Sequence, residues 1–108
     1  MNISDWRERI DELDRKLVEL LNERANAARE IGLLKRDKQT PIYEPNREKQ
    51  IFRNVSTHNR GPLPDKDLQH VYERIIDVMR KLQREQAQPL QTRATNAGDT
   101  ELEAEVNE

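Results

Sequence analysis

Apolar positions recur at helical spacing through most of this chain. Between Trp6 and Lys35 they run Ile10, Leu13, Leu17, Leu20, Leu21, Ala28 and Ile31, the stripe of an amphipathic helix. The period predicts one long helix from about Asp5 to about Lys38. Ser4 stands where an N-cap is needed, with Asp5 and Glu8 in the first turn, where acids suit the helix dipole. Thr40-Pro41 supplies the stop, because a residue before proline is pushed out of the α region. Such a helix is a rod of about 50 Å. A second helix is expected from Pro45, whose missing N–H is not needed in a first turn, through Ile51, Phe52 and Val55 to the region of His58 and Gly61-Pro62. Asp65 is the expected N-cap of a third, from about Lys66 to Gln86, with stripe Leu68, Val71, Tyr72, Ile75, Met79 and Leu82. Nothing alternates with the period of a strand. The expectation is an all-α fold of three helices, one long and two shorter.

The lengths carry a consequence for assembly. Neither shorter helix can cover a 50 Å apolar stripe, so the long helix needs a partner along its length. A second copy, antiparallel about a two-fold axis, supplies one, and an intertwined helical homodimer is expected. Residues 1–86 form the expected helical domain. Residues 87–108, poor in large apolar side chains and ending in four glutamates, read as a disordered acidic tail.

Composition narrows the function classes. The chain has 108 residues, 37% charged and 33% hydrophobic, with mean hydropathy −1.10. With no cysteine, a disulfide framework and a thiol nucleophile are both excluded. The two histidines, His58 and His70, lack the close pairing of a zinc-binding helix. No run approaches the ~20 apolar residues of a membrane span and the N-terminus lacks a signal-peptide core, so a cytoplasmic protein that does not engage the membrane is expected. Residues 1–86 hold 18 Lys and Arg against 16 Asp and Glu. That mixed surface, without aromatic platforms, argues against nucleic-acid binding.

Two cations break the pattern. Arg24 and Lys35 are eleven residues apart, which on a helix is about 20° of rotation. They therefore share the direction of Leu13, Leu17 and Ile31. A charge aimed at a core costs several kcal/mol unless it meets an opposite charge. Too few acids lie on this face to neutralise both, so the pair is expected to await an external anion. Arg7 lies at the stripe edge, about 25 Å from Arg24 along the helix, and could serve only the pocket of a partner chain. Arg47 and Glu48 occupy the first turn of the second helix, and Gln83 sits one turn beyond Met79 on the third. Several cations, a carboxylate and an amide between helices suit a small multi-anionic ligand. None is an evident nucleophile. Tyr43 and Tyr72 read as packing and His70 as a surface residue.

These residues resemble the all-helical class of chorismate mutases over about residues 5–86. The matching pieces are W-R-E-R-I-D-E-L-D-R-K-L-V-E-L-L-N-E-R at 6–24, I-G-L-L-K at 31–35, P-I-Y-E-P-N-R-E at 41–48 and I-I-D-V-M-R-K-L-Q at 75–83. The resemblance implies the Claisen rearrangement of chorismate to prephenate, on the route to phenylalanine and tyrosine, a pericyclic reaction for which no metal and no cofactor is expected. It also implies roles. Arg24, with Arg7 from the other chain, would bind the enolpyruvyl carboxylate, and Arg47 would lie near the ring carboxylate. Lys35 and Gln83 would hydrogen-bond the ether oxygen, and Glu48, with the backbone near Glu44, would hold the ring hydroxyl. Met79 departs from the pattern, since many members carry a serine there and a thioether donates no hydrogen bond. Two other readings stay open on sequence: an isochorismate–pyruvate lyase of the same fold, and a non-catalytic helical dimer that regulates a partner enzyme.

Overall fold

The computed structural model describes residues 1–87 and forms three helices: α1, Ile3–Lys38; α2, Pro45–His58; and α3, Asp65–Ala87. The acidic tail expected from residue 87 lies outside the described residues, apart from Ala87 at the end of α3. Asn2, not Ser4, caps α1. Its Oδ1 accepts from the Asp5 N–H at 2.9 Å while the Asp5 carboxylate accepts from the Asn2 N–H at 3.0 Å, so two otherwise orphaned donors are satisfied reciprocally. That box starts the helix two residues earlier than expected. At the other end Gln39 takes a left-handed conformation, φ 56°, and the Thr40 N–H returns to the Lys35 carbonyl at 2.9 Å.

α2 starts at Pro45 as its sequence predicts, with the Glu44 carbonyl accepting the Glu48 N–H at 3.1 Å. Asp65 is the first helical residue of α3 rather than its cap, and the Pro64 carbonyl takes the Leu68 N–H at 3.0 Å. The Asp65 carboxylate instead accepts from Ser56 Oγ and Asn59 Nδ2. It thereby ties the end of α2 to the start of α3.

α3 is the common neighbour, packed against both α1 and α2. The buried apolar side chains are Ala28, Ile76 and Met79. Small residues on α1 permit a close crossing. A Cβ added at Gly32 would stand 3.0 Å from the Gln83 Cα of α3, inside ordinary contact distance. Among the described residues nothing gives the N-terminal half of α1 such cover. Trp6, Ile10, Leu17, Val18 and Leu20 are each more than half exposed on a molecule 52 Å long. Among the described residues no helix is long and apolar enough to cross a membrane.

Candidate active site

A cavity of about 350 Å³ opens where the C-terminal half of α1, the 39–44 connector, the first turns of α2 and the C-terminal half of α3 converge. α1 contributes Arg24, Ile31 and Lys35, the connector Ile42 and Glu44, α2 Arg47 and Glu48, and α3 Met79, Arg80 and Gln83. Every candidate named from the sequence except Arg7 lines this one space. Arg7 is exposed on the first turns of α1, remote from the cavity of its own chain.

Lys35 is held at two points. Its Nζ donates to the Ile42 carbonyl at 2.9 Å and forms an ion pair with the Glu44 carboxylate. This corrects the expectation that Lys35 lacks a counter-charge within the protein. The acid comes from the connector, which a search of the α1 face alone misses. An ammonium has three N–H donors, so one remains for a ligand. Arg24 is half-buried, and among the described residues its guanidinium has neither ion pair nor hydrogen bond. Arg47 stands at the exposed rim with Nη1 on Gln50 Oε1 at 2.7 Å. Gln83 reaches across the helix crossing and donates Nε2 to the Ala28 carbonyl at 3.0 Å. Its amide is thereby oriented with a second N–H in hand. Met79 is buried in the apolar wall and offers no donor.

Arg80 escapes the sequence reading. Its Nη2 pairs with Glu48 Oε2 at 2.5 Å and its Nη1 with Asp77 Oδ1 at 3.2 Å. The guanidinium carbon lies 5.1 Å from the centre of the Tyr43 ring, a cation–π distance. Tyr43 is therefore more than packing. The Glu48 hydrogen bond leads the influences that raise the Arg80 pKa above its already high ordinary value, so this group stays cationic at any physiological pH. One signal was available: Arg80 follows Ile76 by four residues and precedes Gln83 by three, so it shares their helix face. That signal is weaker than the one that singles out Arg24 and Lys35, because Ile76 lies outside the stripe expected for α3.

With Arg80 counted, four cations and two carboxylates line the cavity, leaving two positive charges uncompensated. Among the described residues no cluster of three or more side chains suited to a metal is assembled. The arrangement favours a small dianion and offers it N–H donors from Lys35 and Gln83.

A family model of chorismate mutase type II matches residues 6–84. The chain belongs to this family. It is 35% identical over 86 residues to a bifunctional chorismate mutase/prephenate dehydratase of Aquifex aeolicus, an alignment covering 76% of this chain and 24% of that protein. It thus spans about a quarter of that relative's length. Among solved structures, a chorismate mutase (Form II) from Thermus thermophilus superposes with a TM-score of 0.76 at 30% identity, over 80% of this chain and 98% of the other. A chorismate mutase from Helicobacter pylori, crystallised in complex with prephenate, gives 0.72 at 32% identity, over 78% and 91%. The type II mutases are all-helical, as this chain is over the described residues.

Proposed function

We propose that this chain catalyses the rearrangement of chorismate to prephenate, with residues 1–86 as the catalytic unit. The observation that carries the proposal is the pair of uncompensated positive charges around a cavity in which Lys35 and Gln83 each keep an unspent N–H. Chorismate is a dianion. In the reaction a ring carbon–oxygen bond breaks while the enolpyruvyl methylene bonds to the ring carbon that carries the carboxylate. All electrons move within one cycle, so no acid, base or nucleophile is required. The protein's task is to select the folded conformer and to stabilise charge on the departing ether oxygen.

Arg24 binds the enolpyruvyl carboxylate, and Arg47 at the rim meets the ring carboxylate, so the two clamps bring the reacting carbons together. Lys35 and Gln83 donate to the ether oxygen, whose negative charge grows as its bond lengthens. Donors of that kind are typically worth 10²–10³ in rate. Glu48 accepts from the ring hydroxyl near Glu44. Met79 presses an apolar surface on the bound ring, leaving the ring carboxylate to Arg47.

The active assembly in this proposal is a homodimer. The exposed apolar half of α1 supports it, since a stripe of that length in water is a strong drive to pair. An antiparallel second α1 brings its Arg7 to the cavity as a further cation beside Arg24. Incubating the pure protein with chorismate and following the loss of its ultraviolet absorbance tests the activity. Isochorismate, offered in parallel, separates a mutase from a pyruvate lyase. No turnover of chorismate at millimolar concentration overturns the proposal.

A further inference from the structure

Of the four cations around the cavity, Arg80 is the most constrained, and its constraints define what it can do. Nη2 is committed to Glu48, Nη1 to Asp77, and Tyr43 covers the guanidinium. Nε is buried and has no partner among the described residues. A guanidinium held at these points cannot swing onto a ligand carboxylate without abandoning Glu48. Glu48 is the other half of the device. Its side chain and that of Arg80 are equally shielded, at 21% exposure. Only its Oε2 is engaged by Arg80, and among the described residues Oε1 has no partner. An isolated carboxylate here would repel an incoming dianion and be drawn outward to water. Paired with Arg80, it stays in the cavity wall as an acceptor whose charge is offset.

We infer that Arg80 is a positioning residue that fixes Glu48 with one oxygen free to accept from a ligand hydroxyl, and so makes the pocket selective for substrates that carry that hydroxyl. The inference rests on the mutase reading above. An ionised carboxylate accepts and cannot donate, so its complement on the ligand is an O–H. The substrate's ring hydroxyl is its single alcohol. Arg80 acts on specificity through Glu48, without touching the substrate.

The test compares kcat/KM for chorismate with that for the analogue whose ring hydroxyl is replaced by hydrogen, in wild type and in Arg80→Gln. A hydrogen bond to a charged group contributes enough that the preference for chorismate should fall by about tenfold or more in Arg80→Gln. The lost charge weakens both dianions, and the loss should fall more heavily on chorismate than on the analogue. Arg80→Lys, which can still pair with Glu48, should restore part of the preference. Glu48→Gln should lose it, and the double variant should lose no more than Glu48→Gln alone, because both changes break one unit. Circular dichroism checks that each variant folds. If Arg80→Gln does not, Arg80→Met keeps an unbranched chain against Tyr43 and serves in its place. Equal losses on both substrates, or an unchanged preference, overturn the inference and leave the mutase reading standing. A wild-type protein that turns over neither substrate removes the reading and the inference with it.

Discussion

Lys35 illustrates how one side chain can be both structural and poised for a ligand. The Ile42 carbonyl and Glu44 fix two of its donors and aim the third. Removing the side chain costs little stability. Glu44 is half exposed, at 52%, and hydrates readily, so the loss is about 1 kcal/mol for the bond to Ile42. In the proposed mechanism it should cost much activity, because Lys35 supplies the charged donor to the ether oxygen. Lys35→Ala is expected to lower kcat by about 10²–10³, read from chorismate absorbance, with a thermal melt close to wild type. Gly32 acts in the opposite sense, through space it leaves empty. A methyl group there meets the Gln83 backbone, which must shift by a few tenths of an ångström. Alanine favours the helix by about 1 kcal/mol over glycine, which offsets much of the repacking cost. Gly32→Ala should therefore keep a near-normal melting temperature while kcat falls by about tenfold, since Gln83 carries its amide away with α3. A variant with unchanged kcat would show that the crossing tolerates the methyl group without moving Gln83.

At the scale of elements, the helices and the residues they bring together were legible because a single period governs them. Arg24 and Lys35 stood out as charges on an apolar face, and both line the cavity. What escaped depends on geometry between elements. Glu44 neutralises Lys35 from a connector whose path no period describes. Arg80 meets Glu48 across 32 residues of sequence, and in the run Met79-Arg80-Lys81 it looks like a solvent charge. Ile76 fell outside the expected stripe of α3 yet is one of its buried residues. Ser4 and Asn2 are both good caps for α1, and only the reciprocal bond to Asp5 chooses between them. Gln39 shows a local cost that the sequence hides. A residue with a Cβ sits there at φ 56°, a conformation disfavoured by about 1 kcal/mol or more outside glycine. Gln39→Gly should therefore raise stability by up to about 1 kcal/mol, part of it lost to the greater freedom of the unfolded chain. Urea denaturation would read the shift. A destabilised variant would mean that the Gln39 side chain contributes more than its backbone costs.

The whole molecule poses the question of whether one chain holds a complete site. Arg24 and Arg7 lie on one rigid helix, about 25 Å apart, so no bending of α1 brings both to one ligand. In the proposed antiparallel pair, Arg7 of each chain would serve the cavity that contains the other chain's Arg24. This sharing makes a quantitative prediction that a monomer cannot mimic. Arg7→Ala and Arg24→Ala homodimers each lack one carboxylate ligand at both sites, and each should be strongly impaired. Unfolded together and refolded as an equal mixture, half the dimers should contain one chain of each kind. In such a dimer the cavity of the Arg7→Ala chain has its own Arg24 and receives an intact Arg7 from its partner, while the other cavity lacks both. One site in two works in half the molecules, so the mixture should recover about a quarter of wild-type activity. Simple mixing without unfolding should recover it only as fast as chains exchange. No recovery from a refolded mixture that is dimeric by sedimentation would mean that Arg7 does not cross between chains, and the exposed stripe of α1 would then need a different partner to explain it.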